Sequence, residues 1–133
     1  MNKYFAAYAG TAVVMVLLDL LWLGVIAKPL YQQGIGHLMA DKPNLAVAVV
    51  FYALYAAGIV IFAVWPQAGG TLRGTLAMGA LFGFFAYATY DLTNLATLRG
   101  WPLPLSLIDI AWGTAVSAAA AAGGRLALDR AVA

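Results

Sequence analysis

"YATYDLTNLATLRGWP", Tyr87–Pro102, sets an aspartate inside what otherwise reads as bilayer core. Asp91 follows an apolar stretch that starts near Leu72, and Asn94 lies one helical turn beyond it. The meaning of that carboxylate depends on what solvates the rest of the chain. Of its 133 residues, 65% are hydrophobic and only 9% are charged. A soluble domain carries roughly 25% charged residues, so this surface is built for lipid.

Working outward from Asp91, four apolar stretches appear, each near the roughly 20 residues that cross a bilayer as a helix. They run over about 4–27, 45–65, 72–98 and 103–126. Backbone groups in lipid must be satisfied internally, which leaves helices or a closed barrel. Unbroken Ala/Leu-rich runs without alternation select helices. The expected fold is therefore all-α: residues 1–133 as a single four-helix transmembrane bundle, with both termini on one side.

The connections fit this division. "WPQAGG" and "RGWPLP" are tight Pro/Gly turns with tryptophan at interfacial depth. Residues 28–44, "KPLYQQGIGHLMADKPN", alone have room for structure, and their Leu/Met/Ile content predicts a short interfacial helix at the bundle mouth. Pro43, Asn44 and Asp41 stand where the second span should start and be capped. Asp19 interrupts the first span, and no small-x-small cleavage site precedes Lys28-Pro29, so the span is read as retained. Lys3, Arg73, Arg125 and Arg130 fall on the side of the termini, against Lys28, Lys42 and Arg99 on the other. That balance tips the termini toward the cytoplasm.

The absence of cysteine excludes disulfides, thiolate metal sites and Cys nucleophiles. No basic run supports nucleic-acid binding, and no motif calls for a cofactor. His37 and Asp41, at i and i+4, offer two metal ligands but not a complete site. A solvent-facing or lid role suits His37 better.

Depth then gives the aspartates a meaning. At 1.5 Å per residue, Asp19, about eight residues before the end of span one, lies roughly 9–12 Å below one surface. Asp91, about seven before the end of span three, and Asp109, about six into span four, lie at the same level. Ionisable residues inside membranes face the bundle interior or a wet cavity. The competing reading is that a buried Asp simply ties helices together by hydrogen bonds, but three at one depth exceed what tying requires. Asp91, Asp19 and Asp109 are therefore the candidate catalytic, proton-handling group, with Asp91 first.

Helical spacing puts Tyr87 and Asn94 on the Asp91 stripe, Trp22 one turn after Asp19, and Trp112 one turn after Asp109. Tyr52 and Tyr55 face the same interior from span two. With His37 and Arg99 at the mouth, these are the candidate substrate-binding residues, Arg99 meeting an anionic head group. Gly79, Gly83 and Ala86 read as helix-packing positions. "DLLWLG" at Asp19 and "DIAWG" at Asp109 also echo one another.

Several stretches together carry a resemblance: "LDLLWLGVIAKPLYQQGIGHLMADKPN", "FYALYAAGIVIFAV", "FGFFAYATYDLTNLATLRGWPL" and "IDIAWGT". From about Leu18 to Thr114 the chain resembles a bacterial membrane-protein family, domain of unknown function 2177. The resemblance implies a multi-pass protein of the bacterial inner membrane. It brings no activity and no catalytic residue.

The leading functional reading is an aspartate-lined intramembrane pocket. It would bind, and process, a lipid-like or hydrophobic small molecule with a polar or cationic head, drawn from the membrane lipid around it. The runner-up is a small proton-coupled transporter working as a homodimer, with Asp19 alternating between proton and substrate. Against it, these carboxylates lie off the bilayer midplane, where transporter sites usually sit. A structural membrane subunit is the third.

Overall fold

A computed structural model describes residues 2–133, and among them the regular structure is entirely helical. Helix α1 spans Lys3–Leu21 and continues through a π-helical turn, Trp22–Ile26. Helix α2 is the short Lys28–Ile35, followed by a 3₁₀ turn, Gly36–Leu38. Helix α3, Leu45–Ile59, also ends in a π turn, Val60–Val64. Helices α4, Leu72–Thr97, and α5, Leu103–Val132, complete the chain. α5 runs six residues beyond the end expected at 126, with Arg125 and Leu128 buried in its last turns.

Local chemistry explains the helix starts. The Asn2 side chain accepts from the Tyr4 N–H at 2.8 Å, Asn44 from Val47 at 3.2 Å, and Thr71 from Gly74 at 3.0 Å. Each satisfies an N–H that has no partner inside its helix. Of the candidates to cap α3, Asn44 does so, and Asp41 stays exposed outside it. Pro29 and Pro104 stand in the first turns of α2 and α5, where a missing N–H costs nothing.

Three helices are long and apolar enough to cross a membrane: Lys3–Ile26, Leu45–Val64 and Leu103–Val132. Large apolar side chains such as Phe5, Leu17, Val25, Val49, Leu54, Phe85 and Leu107 point outward. Inside, small residues dominate. α5 is the central element, with α1 and α4 packed along it from either side rather than on each other. A Cβ added at Gly10 would meet the Gly123 carbonyl at 2.7 Å, and one at Gly79 would meet the Ser117 carbonyl at 2.9 Å. Backbones this close need small residues, the usual currency of helix association in lipid.

Arg125 closes the terminal end. Its guanidinium donates to the carbonyls of Gln67 at 2.6 Å and Thr71 at 3.2 Å, to the Gly70 carbonyl, and to Thr75 Oγ1 at 3.1 Å. Asp129 pairs with its Nε at 3.1 Å. This arginine, grouped with the loop charges in the sequence, is 8% exposed and holds the α3–α4 turn in place. From that turn, α3 meets α4 through its Val60–Val64 end, and the two helices separate toward the α2 side.

Candidate functional site

The three aspartates singled out in the sequence are all buried, at 4% exposure for Asp19, 1% for Asp91 and 7% for Asp109. Their surroundings differ sharply. Asp19 is fully engaged: Oδ2 accepts from Tyr52 Oη and Oδ1 from Trp112 Nε1, each at 2.9 Å. Those partners sit on α3 and α5, so Asp19 ties three helices together. It does not line the cavity that Asp91 and Asp109 share.

Asp109 accepts from Tyr31 Oη at 2.5 Å, and Tyr31 in turn accepts from Trp22 Nε1 at 3.1 Å. Trp22 and Trp112 stack, with ring centroids 4.4 Å apart and planes 4° from parallel. The two Asp–Trp echoes in the sequence thus meet face to face. Each indole N–H serves the other helix's aspartate, Trp112 directly and Trp22 through Tyr31. The π turn starting at Trp22 supplies the extra residue at this junction, and such turns recur at functional sites. Tyr31 sits on α2, at the mouth. Burial, together with the Asp109 carboxylate it donates to, pushes its phenol above the ordinary range, so it remains a donor.

Asp91 is the exception among the three. Both of its oxygens are buried and neither has a hydrogen-bond partner. It shares the wall of one cavity with Asp109. Two carboxylates offer only acceptors to each other, so neither supplies the donor that Asp91 lacks. No Lys, Arg or His lines the space beside them.

That space is a cavity of about 390 Å³, inside the range of roughly 300–1,000 Å³ typical of small-molecule pockets. Asp91 and Asp109 line it, with Tyr31, Tyr55, Tyr87 and Trp101 among the rings around them. Tyr87 reaches inward because Gly113 leaves room, since a Cβ there would overlap its ring. The Tyr55 hydroxyl is taken by Ser117 at 2.7 Å, leaving the ring to the cavity. Trp101 Nε1 is buried without an acceptor. Phe51 on α3 and Tyr90 on α4 stand at the outer rim and are exposed, so the cavity opens sideways where those helices separate.

Of the residues singled out in the sequence, Asp91, Asp109, Tyr55 and Tyr87 line the cavity. Asp19, Trp22, Trp112 and Tyr52 form the hydrogen-bonded wall behind it. Asn94, Arg99 and His37 do not line it. Arg99 and His37 are exposed, with His37 beside Gly100, whose φ of 74° turns the chain out of α4. The extended backbone at Met39 breaks any shared turn between His37 and Asp41, so they do not form one ligand face. Ala86, expected to pack helices, packs against the buried core and also borders the cavity. Sequence reading missed Tyr31, Tyr90 and Trp101. Tyr31 was legible in outline, as an aromatic one turn into a helix started by Pro29.

A family model described as "Predicted membrane protein (DUF2177)" matches residues 4–126. No curated protein and no solved structure matches the chain.

Proposed function

Taking as premise that the chain belongs to the DUF2177 family of predicted membrane proteins, we propose that it is a four-span bundle holding a pocket for a lipid-like or hydrophobic small molecule. The bilayer is the inner membrane of a bacterium, and both termini face the cytoplasm. α4 serves as the fourth span. Its 26 residues make about 39 Å of helix, against a hydrocarbon core of roughly 30 Å. Leu76, Met78, Leu81, Phe84 and Phe85 face outward from it.

One observation carries the reading. Asp91 keeps two buried oxygens unpartnered in the wall of a ring-lined cavity, while the equally buried Asp19 is fully bonded. A carboxyl kept only for holding helices would have found donors, as Asp19 has. An unpartnered buried polar group is a standing cost, and a ligand that supplies donors removes it. Two carboxyls on one cavity, Asp91 and Asp109, are also equipped to give and take a proton at a bound molecule. Asp19 and the stacked indoles keep the back wall rigid, and Tyr31 fastens α2 across the mouth.

Photolabelling tests this reading. A long-chain alcohol bearing a diazirine, dissolved in proteoliposomes, should label peptides containing Phe51 and Tyr90. Ala86→Trp, which fills the cavity without touching either acid, should remove that labelling. Labelling spread evenly over the outer apolar faces, and indifferent to Ala86→Trp, would leave no pocket to defend.

A further inference from the structure

Resting on that pocket reading, we infer that the ligand is a single-chain, long-chain primary amine. Its ammonium sits against Asp91 and Asp109, and its chain lies along α4.

The head group follows from the polar inventory of the cavity. Two carboxyls line it, and no cationic side chain does. Both Asp91 oxygens lack a donor. A primary ammonium brings three N–H donors and a positive charge to the one place where both are missing. The rings of Tyr55, Tyr87 and Trp101 border the same space, and aromatic faces attract a cation. A phosphate or carboxylate head would face two acids with no counter-charge, so anionic and zwitterionic phospholipids fit poorly. An alcohol brings only one donor and no charge.

The chain follows from a second hollow. A groove of about 500 Å³ is lined by Phe62, Met78, Leu81, Phe82, Phe85 and Thr89. Ala86 belongs to its wall and to the wall of the acid-lined cavity, so one small side chain stands between the two hollows. Thr89 contributes no free donor, because its hydroxyl is bonded to the Phe85 carbonyl at 2.6 Å. The groove is thus apolar in effect and follows α4, where Met78 and Asp91 are about 20 Å apart along the helix axis. That length suits one extended alkyl chain. Entry needs no water route, since α3 and α4 already separate at the exposed rings of Phe51 and Tyr90.

The test uses the full chain in phosphatidylcholine nanodiscs with three probes of equal length: hexadecylamine, hexadecanol and palmitate. Native mass spectrometry counts adducts, and competition ranks affinity. Hexadecylamine should bind one per chain, with the alcohol and the acid at least about tenfold weaker, as expected for losing a charge-assisted hydrogen bond. Asp91→Asn should weaken the amine by a similar factor and leave hexadecanol unchanged. Ala86→Trp should abolish amine binding with both acids intact, which keeps the test decisive if Asp91→Asn does not fold. Alcohol or palmitate binding as tightly as the amine, and blocked by Ala86→Trp, would overturn the amine assignment and leave the pocket standing. Phosphatidylethanolamine displacing hexadecylamine at equal mole fraction would overturn the single-chain assignment in favour of a lipid headgroup. If no probe responds to Ala86→Trp, the amine and the pocket fall together.

Discussion

Replacing Asp19 should cost stability and replacing Asp91 should not, although both are buried aspartates. Asp19→Ala removes two interhelical hydrogen bonds, from Tyr52 on α3 and Trp112 on α5. Such bonds in membranes average about 0.6 kcal/mol and reach about 1.7 kcal/mol each. The variant should therefore lose about 1–3 kcal/mol, and Tyr52→Phe or Trp112→Phe about half as much. Asp91→Asn breaks no hydrogen bond, because Asp91 makes none. A neutral amide replaces the carboxyl at nearly the same size and brings donors of its own, so stability should hold within about 0.5 kcal/mol or rise. Reversible unfolding by SDS in mixed micelles, followed by far-UV circular dichroism, measures both variants on one scale. Asp91→Asn destabilising as much as Asp19→Ala would make Asp91 a second helix tie and remove the argument for the pocket. A neutral Asp19→Ala would show that its two bonds hold nothing.

Three further outcomes follow from the packing. Gly113→Val puts side-chain atoms where the Tyr87 ring lies, with α4 tight against α5 at Gly83; it should cost about 3 kcal/mol or more in the same SDS titration. Tyr31→Phe removes the donor to Asp109 and the acceptor for Trp22, so amide exchange in Lys28–Ile35 should accelerate while α4 and α5 stay protected. Single cysteines at Asn2, Gly69 and Ala131 should label from one side of the membrane and a cysteine at Gly36 from the other; Asn2 and Gly36 labelling together would break the four-span arrangement.

Much of this architecture could be read from the chain because lipid makes hydropathy nearly decisive. Starts at Leu45, Leu72 and Leu103 followed from Asn44, the onset of the apolar run and the "RGWPLP" turn. Asp91 and Asp109 could be placed by counting turns, since depth along a helix is a sequence quantity. Rotation about the axis is not. Whether an aspartate meets a tyrosine or an open space depends on which neighbour packs there, and that separated Asp19 from Asp91 only in three dimensions. The π turns at Trp22–Ile26 and Val60–Val64 left no pattern to find, because they shift a helix's faces by a fraction of a turn. Tyr31 and Trp101 come from segments between the spans, where apolar periodicity says nothing about contacts. Arg99 and His37 looked attractive as polar groups near the expected mouth, but both are exposed side chains on short turns that stand outside the cavity.

The central place of α5 has a consequence for how the protein is made. The helix on which α1 and α4 both pack is synthesised after both of them. Until it inserts, Gly10, Gly79 and Gly83 have no partner surface, Asp19 lacks Trp112, and Asp91 lacks Asp109. The nascent chain must therefore wait in the bilayer with two carboxyl groups directed at lipid or at the insertion machinery. Assembly then becomes a single late event in which one alanine- and glycine-rich helix enters between two waiting neighbours. A ribosome stalled before Leu103 would leave an open set of helices for the cell's membrane proteases to clear.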